Sequence, residues 1–175
     1  VNVLGVIFCV VRFSENHLQV VEETIMLSYR LVRVIEYHSD SLAESLVRKV
    51  HANERTTAYR NIPSKELKAR VHEIYHHLGT WIIDRSSPEV EQRYIAIGTR
   101  LAEQGVPLSE LIWAITLTKK NLCDYLEDVT FPGRVTDLSD KLELLQLLDE
   151  FFDEATHAAA VGYEWAIGKE AVHKN

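Results

Sequence analysis

KELKARVHEIYHHLGTWIID, residues 65–84, is the stretch on which the reading of this chain turns. Leu67, Val71, Ile74, Leu78, Trp81 and Ile82 recur at intervals of four, three, four, three and one, the signature of one helix face. Pro63 ends the preceding turn and Ser64 stands where a cap belongs, so the spacing predicts a helix over Lys65–Asp84. A helix with one apolar face needs other such faces to bury it against, and the neighbouring sequence supplies them.

Upstream, Leu42, Leu46 and Val50 stripe a helix expected over Leu42–Tyr59, opened by Ser41 and Glu44 in capping-box spacing. An earlier helix, Glu15–Tyr37 with Ser14 as cap, has apolar residues too evenly spread to define a face. Downstream, Ser87-Pro88 reads as a cap and first helical position, with Val90, Tyr94, Ile97 and Leu101 inward and Gly105 as the stop. Pro107 opens the next helix, with Leu108, Leu111, Ile112, Ile115, Leu122 and Leu126 on one side. After a turn at Phe131-Pro132-Gly133, a long helix over Asp137–Ala166 turns Leu138, Leu142, Leu145, Leu148, Phe152, Ala155 and Ala159 inward. Only Val1–Phe13 could form a strand; this apolar segment is too short to span a bilayer, lacks a basic leader, and reads as docked.

The expected fold is all-α, a compact bundle of five to six helices or a globin-like arrangement, with a short apolar N-terminal segment. The expected organisation is an extension over residues 1–41, a helical domain over 42–168 and a tail over 169–175. A length of 175 residues, 46% of them hydrophobic and 26% charged, suits one folded domain rather than a disordered chain. A net charge of −7 offers no general attraction to phosphate backbones, so neither nucleic acid nor membrane is an expected partner. Charge is nonetheless uneven. Residues 137–168 hold eight carboxylates against Lys141, and residues 48–70 hold seven cations against Glu54 and Glu66. These are read as solvated helix faces, or as opposite patches that attract in a dimer or steer a partner. Cys9 and Cys123 lack motif spacing and lie in apolar surroundings, as expected of reduced thiols in a cytoplasmic protein.

His72-Glu73-Ile74-Tyr75-His76 matches the zinc-peptidase pattern, in which two imidazoles one turn apart hold a metal and the glutamate activates its water. Gly79 also fits one peptidase subfamily, but Ile82 stands where its third histidine belongs. On a helix, His72 and His76 fall roughly 120° to 160° from the centre of the apolar stripe, away from the core. The zinc-dependent hydrolase is therefore the alternative reading, and a solvated pair the preferred one. Glu73-x-x-His76 and Glu154-x-x-His157, with Glu44 and Glu103 or Glu110, have the composition of a di-iron bundle, yet again lie on polar faces. No phosphate-binding loop or nucleophile elbow is present. Neither enzyme activity nor a bound cofactor is expected.

Polar residues that fall inward are more informative. Asn53 and Thr57 lie in the apolar stripe of their helix with Glu54 at its edge, and Lys119 lies between Ile115 and Leu122. A buried lysine needs a partner, for which Glu54 or Glu127 is available. Asn53, Glu54, Tyr94 and Lys119 are thus the candidate ligand-binding residues, Lys119 anchoring an anionic group. Gly98, on an inward face, gives either close helix approach or room for a ligand.

Glu54-Arg55, Tyr59-Arg60, Ile62-Pro63 and Glu66-Leu67 are followed by Tyr94, Gly98, Arg100 and the run Gly105-Val106-Pro107-Leu108-Ser109-Glu110-Leu111. Phe151-Phe152-Asp153 and Gly162-Tyr163-Glu164 come later. In order and spacing, over Leu42–Ala166, these residues resemble the N-terminal regulatory domain of stressosome RsbR-type co-antagonist proteins. The resemblance implies an all-helical, non-haem, globin-like sensor domain, usually dimeric, which passes its input through the last helix to an output domain. It also implies a signalling partner protein and leaves room for a small-molecule ligand. No output domain follows Asn175, as expected of a stand-alone relative or a fragment, and the segment before Leu42 has no counterpart in that family.

Overall fold

A computed structural model describes residues 32–33, 35–83, 88–130 and 138–173. The expectations for Val1–Phe13, Ser14, Cys9, most of the Glu15–Tyr37 helix, Ser87 and the Phe131-Pro132-Gly133 turn lie outside these residues. Every element described is helical. We label as α1 the helix through residues 35–52. A short 3-10 helix, Thr57–Asn61, follows it. Then come α2 (Ser64–Ile83), α3 (Pro88–Glu103), α4 (Leu108–Thr130) and α5 (Leu138–His173).

The expected break between Tyr37 and Leu42 is absent, because α1 runs straight through Ser41 and Glu44. Neither glycine nor proline interrupts residues 35–52, and buried Ile35, Leu42, Leu46 and Val50 continue one stripe across the supposed cap. The same helix ends at residue 52 rather than at Tyr59. Thr56 Oγ donates to the Val50 carbonyl at 2.6 Å, and Arg60 Nε donates to that of His51 at 3.2 Å. Residues beyond the helix thereby satisfy carbonyls that would otherwise be left open at its C-terminus. Thr57, expected inward, is exposed and belongs to the 3-10 helix instead.

α2, α3 and α4 follow the predicted spans closely. Gly105, at φ 71°, terminates α3. Its N–H bonds the Ala102 carbonyl at 2.9 Å and the Val106 N–H bonds that of Leu101 at 3.0 Å, the paired bonds of a Schellman cap. In α5 the inward face is shifted from the expected one. Leu148, Phe152, Ala155 and Ala159 are buried as expected and are joined by Leu144, Leu147, Phe151 and Ala158, whereas Leu142 is 59% exposed and Leu145 only half-buried.

The core centres on Phe151, fully buried, with the rings of Trp81, Tyr94 and Phe152 edge-on to it at 5.5, 5.8 and 5.1 Å. α5 is the common support, packing chiefly on α3 and next on α4. The α3–α5 contact is made by backbone. A Cβ on Gly98 would overlap the Ala159 carbonyl, and one on Gly162 would overlap that of Ile95. Gly98 thus serves helix approach, not ligand room. Thr99 Oγ, 3.0 Å from both the Ile95 and Gly162 carbonyls, ties the same crossing. Among the described residues no helix is long and apolar enough to cross a membrane.

Candidate functional site

A partly open cavity of about 70 Å³ lies where the 3-10 helix and α1 to α4 meet. Its walls are mainly apolar, with Leu46, Val50, Leu101 and Leu111 among them, and Tyr59 and Tyr94 line it as well. The Tyr94 hydroxyl is fully buried and, among the described residues, has no hydrogen-bond partner. Burial, with the Glu73 carboxylate nearby, pushes its phenol well above the ordinary tyrosine range. Tyr59 is displaced the same way, chiefly by burial. Arg70, Glu73 and Arg100 also line the cavity. Arg70 reaches Glu66 at 2.6 Å and Glu73 accepts from Arg93 at 3.2 Å, while Arg100 is exposed and has no ion pair among the described residues.

Around this cavity the sequence-predicted ligand residues take separate places. Only Tyr94 lines it. Asn53 is held at the end of α1, where its Oδ1 accepts from the Arg55 N–H at 2.8 Å and from Trp113 Nε1 at 3.2 Å. Glu54 is exposed on that turn. Lys119 pairs with Asp149 of α5 at 2.7 Å, rather than with Glu54 or Glu127. Its stem lies on α4 beside α5, and the nearest carboxylate belongs to the element packed there.

A network that sequence reasoning missed joins the residues quoted as motifs. Glu110, on α4, accepts from the Ala58 N–H at 2.7 Å and from Thr57 Oγ at 2.9 Å, so a carboxylate caps the 3-10 helix. Tyr163 on α5 donates to the Val106 carbonyl at 2.9 Å, beside the Schellman glycine. Arg60, from the 3-10 helix, closes α1. No periodicity signals these bonds, because each links residues far apart in the chain. Buried Asn121 is another: its Nδ2 donates to the Leu42 carbonyl at 3.0 Å and to the Tyr75 hydroxyl at 3.3 Å.

The metal motifs resolve differently. His72 Nε2 lies 3.3 Å from Asp40 Oδ1, His76 is exposed, and both line a groove between α1 and α2. Among the described residues no three His, Cys, Asp or Glu side chains are grouped to hold a metal ion. Glu154 accepts from Trp81 Nε1 at 3.0 Å. The Cys123 thiol is half-buried and pushed up by burial and by Asp149.

Residues 40–166 match the profile of the RsbT co-antagonist protein rsbRD N-terminal domain. No curated protein matches the chain. Among solved structures, the globin domain of E. coli DosC, in a ferrous form, is similar at 12% identity with a TM-score of 0.61. The likeness covers 76% of this chain and 87% of that one, and makes the fold globin-like. In globins a proximal histidine holds the haem iron. Among the described residues no histidine lines the cavity at Tyr94, and its 70 Å³ is small beside the roughly 300–1,000 Å³ of common small-molecule pockets, so that cavity does not fit a haem. The chain belongs to the stressosome co-antagonist N-terminal domain family, a regulatory and sensory family that acts with signalling proteins.

Proposed function

We propose that this member of the co-antagonist N-terminal family is a dimeric cytoplasmic sensor domain whose output is the placement of α5. The observation that carries this reading is the crossing at Gly98 and Gly162, where the backbones of α3 and α5 meet directly and couple the two helices. α3 contributes Tyr94, Arg100 and Leu101 to the cavity, so any change there bears on α5 directly. A ligand or partner shifts such an arrangement only by favouring one packing over another. Support for a dimer comes from Trp165 and Ile167, 57% and 52% exposed near the C-terminal end of α5. Two positions apart on a helix they point to different sides, so the end of α5 offers an apolar side chain to a contact from either side.

Light scattering of the purified chain tests the assembly. Twice the chain mass is expected, falling to one chain mass in a Trp165→Glu, Ile167→Glu variant that keeps its helical circular dichroism. A monomeric parent would remove the dimer from this reading.

A further inference from the structure

Three properties of the cavity define a ligand chemistry. Tyr94 presents a fully buried hydroxyl with no partner among the described residues, which leaves one hydrogen bond to be made. Arg100 is a cation at the same cavity with no carboxylate within ion-pair distance among the described residues. The remaining walls are predominantly aliphatic, and Glu73, the acid among the lining residues, already accepts from Arg93. A volume of about 70 Å³ exceeds the roughly 30 Å³ share of one water but admits only a few non-hydrogen atoms.

We infer that this cavity is a binding site for a short-chain organic acid carrying a second polar atom, such as a keto or hydroxy acid. Its carboxylate meets Arg100, its carbons meet Leu46, Val50 and Leu101, and its second oxygen accepts from Tyr94. Guanidinium suits carboxylate through planar, paired donors, whereas a neutral apolar guest would leave both Arg100 and the Tyr94 hydroxyl unused. The inference deepens the sensor reading by naming its input and rests on that reading only for the signalling role; binding itself is measured separately.

The test is titration of the full chain, followed by amide chemical shifts, with pyruvate. Propionate serves as the matched acid lacking the second oxygen. Saturable shifts at cavity residues are expected for pyruvate, with propionate weaker by about fivefold or more, the worth of one hydrogen bond of about 1 kcal/mol. Tyr94→Phe keeps the ring and is expected to fold, to abolish the preference for the keto acid and to leave the binding of propionate unchanged. Arg100→Gln is expected to weaken both acids together. Absence of saturable binding by the folded parent overturns the site, as does equal affinity for keto and matched acids or an unchanged preference in Tyr94→Phe. Binding without any change in the amide shifts of residues 163–169 on α5 would instead keep the site and sink the relay.

Discussion

Single residues at this fold's helix crossings are not interchangeable, and two glycines show why. At Gly98 a methyl group would sit 2.8 Å from the Ala159 carbonyl carbon, a backbone atom that moves only with its helix. Overpacking of this sort costs about 3 kcal/mol, against about 1 kcal/mol gained in helix propensity. Gly98→Ala is therefore expected to destabilise by about 2 kcal/mol, lowering Tm by about 4–8 °C. At Gly79 the new Cβ would meet only Val32 Cγ1, at an ordinary 3.5 Å. Gly79→Ala should raise Tm slightly, and calorimetry on the pair separates packing from propensity. The spacing of the sequence placed Gly98 on an inward face but could not choose between contact and vacancy, since both demand a missing side chain. Lys119 was similarly half legible. Its position on α4 followed from periodicity, while its partner Asp149 depended on the register of α5.

At the scale of elements, α2, α3 and α4 were readable because each has a punctuated start and one apolar face. The span of α5 was readable but its inward face was only partly so, since Leu142, Leu144, Leu145, Leu147 and Leu148 spread over more than half of the helix and more than one stripe fits. The end of α1 was hidden for another reason. It is set by Thr56 and Arg60, whose bonds compete with helix continuation and are invisible to a pattern of apolar residues. The 3-10 helix depends likewise on a side chain from another element. Removing that carboxylate in Glu110→Ala leaves the Ala58 N–H and Thr57 hydroxyl without it, and an expected loss of about 1–2 kcal/mol follows from the usual worth of a cap. Urea unfolding measures this, and hydrogen exchange should show faster exchange confined to residues 57–61 before global unfolding.

For the whole molecule, the buried phenols make stability depend on pH at the alkaline end. Tyr75 has its pKa pushed up to about 12 by burial, partly opposed by the Asn121 hydrogen bond, from an ordinary 10.0. Tyr59 and Tyr94 shift in the same direction, again chiefly through burial. Because the folded chain holds these protons more tightly than the unfolded one, their contribution is complete below pH 10 and declines as pH rises through about 12. Circular dichroism should therefore show alkaline unfolding within that window, with a shallower dependence in Tyr94→Phe, which has one phenol fewer to titrate. An identical dependence in the two proteins would mean that Tyr94 ionises as freely folded as unfolded.

The glycine crossing has one further consequence, for how movement travels. Most helix pairs meet through side chains, whose rotamers absorb a small displacement before it reaches the neighbour. Where main chain rests on main chain there is no such slack, so a tilt of α3 is handed on undiminished. α5 extends eleven residues past Gly162, about 16 Å, so a tilt at the crossing would carry the helix tip farther than the pivot.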